Sequence, residues 1–191
     1  MAFDRGPTKR SNVLANKRIA LFIDGANFYV STKVVGFDMD WKRFIEYYEQ
    51  QGDFIRAYYY SGIIPRVEGE HDSMRGVLDW ISYNRFQLRS KPAKVFIDPV
   101  TQRRTVKGNM DIEICIDAWN MAPHITDMYL FSGDGDFIPL VEKVQSQGVR
   151  VHVISTTDEK NSMCADGLRR QCDNYYELAT LVPHFRREAR E

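Results

Sequence analysis

The sequence predicts an α/β domain, with a mainly parallel central sheet and helices on both faces. Two observations carry this reading. Short apolar runs, Arg18–Asp24 (RIALFID) and Asp127–Ser132 (DMYLFS), each run into a Gly-containing turn, as strands buried on both faces of a parallel sheet do. Segments with apolar residues at helical spacing alternate with such runs, and strands alternating with helices imply a parallel sheet covered on both sides. A third observation sets the scale. The 191 residues fit one domain and can bury a core without disulfide help.

Residues 1–17 mix Gly, Pro, Ser, Asn and basic side chains without periodicity, and read as a flexible basic arm. The domain proper is placed at 18–182, with 183–191 a short charged tail. Arg18–Asp24 is the first strand, and Asp24-Gly25-Ala26-Asn27 turns into a helix. Trp41, Phe44, Ile45 and Tyr48 make Trp41–Gln50 an amphipathic helix. Ile55–Tyr60 is the second strand, Gly62–Asp72 a loop, and Ser73–Arg85 a helix with Val77, Leu78 and Ile81 on its apolar face. Gln87–Val106 is the least helical stretch, with Lys94–Pro99 and Arg103–Val106 as hairpin arms. A helix from about Met110 to Met121 precedes the Asp127–Ser132 strand. Gly133-Asp134-Gly135-Asp136 then opens a helix ending near Gln147, with Gly148 as its C-cap. Val149–Ser155 is a further strand, and Ser162–Arg170 and Glu177–Phe185 read as helices.

Composition narrows the classes. No apolar run approaches the roughly 20 residues of a membrane helix, and the N-terminus lacks a signal-peptide core. The cysteines Cys115, Cys164 and Cys172 are odd in number and show no CxxC pairing, so a reducing, cytoplasmic setting is expected. Formal net charge is zero, but it is unevenly spread. Residues 1–18 carry five basic side chains against Asp4, and 85–107 carry seven against Asp98. Local charges of +4 and +6 leave −10 for the remainder, which suits an anionic polymer docked beside a cation site. Each run taken singly also reads as solvated surface.

In open parallel sheets, ligands bind beyond the carboxyl ends of the strands. That rule selects Asp24 at the first strand end, and Asp134 and Asp136 after the Asp127–Ser132 strand. Asp111, at a helix start after Lys107-Gly108-Asn109, is the fourth carboxylate. Grouped carboxylates repel one another unless a cation sits among them, and oxygen ligands favour Mg²⁺ or Mn²⁺. Each has a plainer reading: Asp24 as a turn residue, Asp134 as a helix cap, Asp136 and Asp111 as favourable charges in a first helical turn. Capping does not account for Asp24, so the set is expected to share one cleft. Asn27, Ser132 and Lys107 are candidate substrate contacts beside it, and Arg103 and Arg104 candidate phosphate contacts on the hairpin. Glu113 and Asp117 share a helix face that Asp111 does not, which leaves Asp117 out of the cleft. Tyr29, Trp80, Tyr83 and Phe86 are either core or platforms for unpaired bases. The four histidines are scattered, and no GxSxG elbow supports serine hydrolase chemistry.

Three ordered segments, Ile19–Tyr29 (IALFIDGANFY), Lys107–Ala118 (KGNMDIEICIDA) and Leu130–Val141 (LFSGDGDFIPLV), make the sequence resemble the NYN domain. That domain is a branch of the PIN-like nuclease superfamily, and the likeness is to its LabA-like group. The resemblance implies a PIN-like three-layer sandwich, a Mg²⁺ or Mn²⁺ site and RNA hydrolysis. It carries Asp24, Asp111, Asp134 and Asp136 over as the acidic cluster, with Asn27 and Ser132 as neighbours. The expected function is a metal-dependent ribonuclease. The alternative is an RNA-binding or regulatory protein that keeps the acidic pocket and turns over little. A haloacid-dehalogenase-type phosphatase needs a second Asp where this chain has Ala26, and a Toprim-type site expects Glu in place of Asp24. RNA is the expected partner, with no membrane, and self-association is left open.

Overall fold

The computed structural model describes residues 17–63, 73–97, 99, 104–157 and 162–188, without the side chains of 73, 74, 94–97 and 104–107. Residues 1–16 of the expected basic arm, most of the loop ending at Asp72, and Arg103 lie outside the described residues; Lys17, the arm's last residue, is bonded to Tyr129 and paired with Asp127.

Eight strands and seven α-helices are described. The strands are β1 (Arg18–Asp24), β2 (Asp53–Ile63), β3 (Phe86–Pro92), β4 (Lys94–Ile97), β5 (Arg104–Lys107), β6 (Asp127–Phe131), β7 (Arg150–Ser155) and β8 (Asn174–Glu177). The helices are α1 (Gly25–Val35), α2 (Trp41–Glu49), α3 (Ser73–Tyr83), α4 (Asp111–Met121), α5 (Ile138–Gln145), α6 (Asp166–Gln171) and α7 (Leu178–Phe185). Six strands form one sheet in the order β3-β2-β1-β6-β7-β8. Every neighbouring pair in it is parallel. β4 and β5 pair antiparallel as a separate hairpin, as the sequence predicts.

Strand alternation explains the three layers. On β1, Ile19, Leu21 and Ile23 pack into a cluster with Phe28 of α1, Phe44 of α2, Ile81 of α3 and Phe185 of α7. Ala20 and Phe22 face the other way, onto Ile114 of α4, Val141 of α5 and Leu168 of α6. The same period of two sends Tyr59 to the first cluster and Tyr58 and Tyr60 to the second. All three tyrosines are buried, so this aromatic run is core.

The chain builds outward from β1 through β2 to β3, then returns to place β6, β7 and β8 on the other side. The order reverses between β1 and β6, and their carboxyl ends, at Asp24 and Phe131, flank the crevice that results.

Two strands were not expected. The start of the Gln87–Val106 stretch is β3, a sheet edge whose residues are mostly half-buried, so it carries no continuous apolar run. β8 is the opposite edge, with alternating exposed and half-buried residues, and the expected Glu177–Phe185 helix starts only after it. Gly62 and Ile63, expected in a loop, extend β2. Cys115 lies in α4, while Cys164 and Cys172 flank α6; all three are free thiols.

Candidate active site

Asp24 closes β1, and its backbone stays extended as the chain enters α1. Its Oδ1 accepts from the Asn27 backbone N–H at 3.2 Å, so Asp24 is the N-cap of α1. The expectation that no cap accounts for Asp24 is therefore corrected. The close turn requires glycine next: a Cβ on Gly25 would lie 2.5 Å from the Tyr60 carbonyl oxygen on β2. Asp24 Oδ2 accepts from Ser132 Oγ at 3.1 Å, and Ser132 Oγ in turn accepts from the Asp134 N–H at 3.3 Å. Ser132 is buried, so its hydroxyl braces the two strand ends. Asn27 Oδ1 accepts from the Gly133 N–H at 3.1 Å and ties α1 to the same loop.

Asp134 caps the turn that leads into α5, accepting from the Asp136 N–H at 2.9 Å. Asp111 is the first residue of α4. Asn109 holds it twice: the amide Nδ2 donates to Asp111 Oδ2 at 2.7 Å, and Oδ1 accepts from the Asp111 N–H at 2.8 Å. The carboxylates of Asp111, Asp134 and Asp136 each offer an oxygen within 4.8 Å of the others. Asp24 is outside this trio: it is engaged with Ser132 and Asn27, and it feels the charge of Asp111.

Electrostatics follow from that packing. Burial pushes the Asp24 carboxyl above its ordinary value, and Asp111 adds to the rise against the Asn27 and Ser132 hydrogen bonds. Burial also raises Asp111, with Asp134 and Asp136 contributing, while the Asn109 amide and Lys91 oppose it. Asp111, Asp134 and Asp136 together form an all-oxygen donor set whose chemistry fits a hard divalent cation.

The remaining sequence candidates separate. Asp117 lies in a bidentate pair with Arg89, at 2.8 and 3.1 Å, and accepts from Tyr60 Oη at 3.1 Å. Glu113 takes Lys91 Nζ at 2.8 and 2.9 Å. Both pairs fasten α4 to β3, and with Arg85 on Glu49 they engage three cations counted in the basic 85–107 segment. Arg104 and Lys107 fall in β5, where no side chain is described. Phe86 is core, packed against Trp41, Phe44 and Trp80. Tyr29 is 45% exposed and Tyr83 88%.

Sequence reading missed the grip of Asn109, although an Asn two residues ahead of an N-terminal Asp is a recognisable turn signal. It also missed the pairing of His152 Nε2 with Asp127 at 2.7 Å, which joins β6 to β7 and has no local signature.

The NYN domain profile matches residues 18–179, which takes in the whole sheet and every residue of this crevice. The chain belongs to the NYN domain family. The domain places it in a nuclease superfamily. Among curated proteins, the chain is 31% identical to the "low amplitude and bright protein LabA" of Synechococcus elongatus over 164 residues, 84% of this chain and 83% of that one. Among solved structures it is similar to VPA0982 of Vibrio parahaemolyticus, a protein of unknown function. That likeness has a TM-score of 0.65 at 24% identity over 85% of this chain and 93% of the other, and it shows the fold alone. No described helix is long and apolar enough to cross a membrane.

Proposed function

We propose that this NYN protein is a divalent-metal-dependent ribonuclease. The observation that carries the proposal is the trio Asp111, Asp134 and Asp136, with oxygens within 4.8 Å at the switch point of a nuclease-superfamily fold. Mg²⁺ or Mn²⁺ held by these carboxylates supplies charge neutralisation at the scissile phosphate and a more acidic attacking water.

The chain's own residues do the rest. Asn109 fixes the Asp111 carboxylate in one orientation, and the Asp134 cap fixes the second. Asp24, held by the Ser132 hydroxyl and pushed above its ordinary value by burial, adds a fourth acidic group that can accept a proton. Asn27 keeps the Gly133 loop closed on α1, so the trio is preorganised.

The test is incubation of the pure protein with labelled single-stranded RNA and Mn²⁺ or Mg²⁺, beside an EDTA control and Asp24→Asn. Cleavage that needs metal and Asp24 is the expected result. RNA bound but left intact with metal present would identify a binding or regulatory protein instead.

A further inference from the structure

Beside the carboxylates lies a second concavity of about 630 Å³, within the roughly 300–1,000 Å³ of small-ligand sites. Its floor is aromatic: Phe28 and Trp41 are buried, and Tyr29 rises at the mouth with its ring 45% exposed. Lys33 and Arg187 stand on the rim. The Lys33 ammonium lies 5.4 Å from the centroid of the Tyr29 ring and makes an exposed pair, at 3.6 Å, with Asp38, which also lines the hollow.

The concavity is joined to the acidic site through the backbone at two places. Gly25 and Ala26 line it, directly after Asp24. Gly108 lines it too, directly before the Asn109 that holds Asp111. Glycine is needed there because a Cβ on Gly108 would lie 2.9 Å from the Gly62 Cα, at the end of β2. The hollow, lined by aromatic rings and by Lys33 and Arg187, is thus one residue along the chain from Asp24 and from Asn109.

We propose that this hollow is a nucleobase subsite: it takes an unpaired base of the RNA next to the phosphate at the carboxylates, with Tyr29 as the stacking face and Lys33 over the same ring. The inference rests on the ribonuclease reading. An aromatic face with an adjacent cation is the chemistry that binds single-stranded nucleic acid without demanding a sequence. A base in the hollow also fixes the register of the strand over the cluster, whereas phosphate contacts alone let it slide.

The test pairs Tyr29 variants with RNA lacking one base. Fluorescein-labelled ten-nucleotide RNAs, intact or with a single abasic position moved along the strand, are titrated in EDTA by anisotropy and cleaved in Mn²⁺. Wild type is expected to lose about tenfold in affinity at one abasic position, the one next to the cleavage point. Tyr29→Phe keeps that sensitivity. Tyr29→Ala binds intact RNA about tenfold more weakly and shows no further loss on the abasic strand, because both changes remove the same contact. Circular dichroism confirms that the half-exposed Tyr29 was replaced without unfolding. Additive losses, or equal binding by Tyr29→Ala and wild type, overturn the subsite. So does an abasic strand bound as tightly as the intact one, the result if a peptide or the chain's own terminus fills the hollow. If Asp134→Asn is inactive in the same assay, the nuclease reading survives that failure. RNA neither bound nor cleaved by wild type overturns both.

Discussion

Asp24, which ends β1, and Ser132, which follows the neighbouring parallel strand β6, are joined by a 3.1 Å hydrogen bond from the Ser132 hydroxyl to the Asp24 carboxylate. That bond closes the crevice at the point where strand order reverses, and with the Asn27 and Ala26 backbone N–H groups it keeps a buried acid ionisable. Ser132→Ala leaves the carboxylate buried with one partner fewer. The variant should be about 1–3 kcal/mol less stable in urea. The acidic limb of its cleavage profile should move to higher pH, because losing a donor raises the Asp24 pKa further. An unchanged profile would remove Asp24 from the chemistry.

Asp24→Asn is expected to separate stability from activity. The folded pKa of Asp24 is raised, so the acid favours the fold below its unfolded value, near 3.9, and that contribution is lost as pH rises through the folded value. Above the folded value the buried, ionised group opposes folding. An amide keeps the oxygen that caps α1 and carries no charge, so the variant should gain roughly 0.5–2 kcal/mol at pH 7 while cleavage is lost. The gain should shrink at pH 3, which urea unfolding at the two pH values would measure.

Asp134→Asn breaks the trio without removing the hydrogen-bond acceptor that caps the following turn. Mn²⁺ affinity by titration calorimetry should fall by at least the roughly 10–100-fold that loss of a supporting partner costs at a metal site. Unchanged affinity would mean that the trio holds no ion.

The far edge of the sheet carries an independent prediction. Burial raises the Asp127 carboxyl, but His152, the Thr126 hydroxyl and Lys17 outweigh it, and the net value is below the ordinary one. A lowered folded pKa gives stability that is present above the unfolded value, near 3.9, and is lost as pH falls through the folded one. Asp127→Asn should cost about 1–3 kcal/mol at pH 7, the cost of weakening a buried hydrogen-bonded carboxylate. Its acid unfolding should be shallower than wild type below pH 4.

The sequence showed the buried strands because both faces of β1 and β6 are covered, which forces unbroken apolar runs. It hid β3 and β8, whose residues are exposed or half-buried at the sheet edges and need no such run. The four aspartates were legible because strand ends select them. Their division of labour was not. That Asp24 is braced by Ser132, while Asp111 is gripped by Asn109, depends on hydrogen bonds between segments that no spacing encodes. The same holds for charge. Arg85, Arg89 and Lys91 look like a phosphate track in sequence, yet they are paired with Glu49, Asp117 and Glu113.

That pairing makes the basic hairpin the sharper test of RNA docking. Arg89 and Lys91 each lie against a carboxylate at 2.8 Å, so their replacement should loosen α4 from β3 and lower stability rather than the salt dependence of RNA binding. Arg103 and Arg104 belong to the same basic segment of the sequence, and Arg104 begins β5. If they contact phosphates, each releases counterions on binding, and the slope of log affinity against log salt for single-stranded RNA should flatten by about 0.7 per contact. The Arg103→Ala, Arg104→Ala double variant should therefore lose affinity across all RNA sequences, with a slope flatter by about 1.4. Mn²⁺ binding should be untouched, since guanidinium groups do not ligate cations. Arg89→Ala should keep the wild-type slope. The opposite pattern, a flatter slope for Arg89→Ala and none for the double variant, would place the strand along β3 and away from the hairpin.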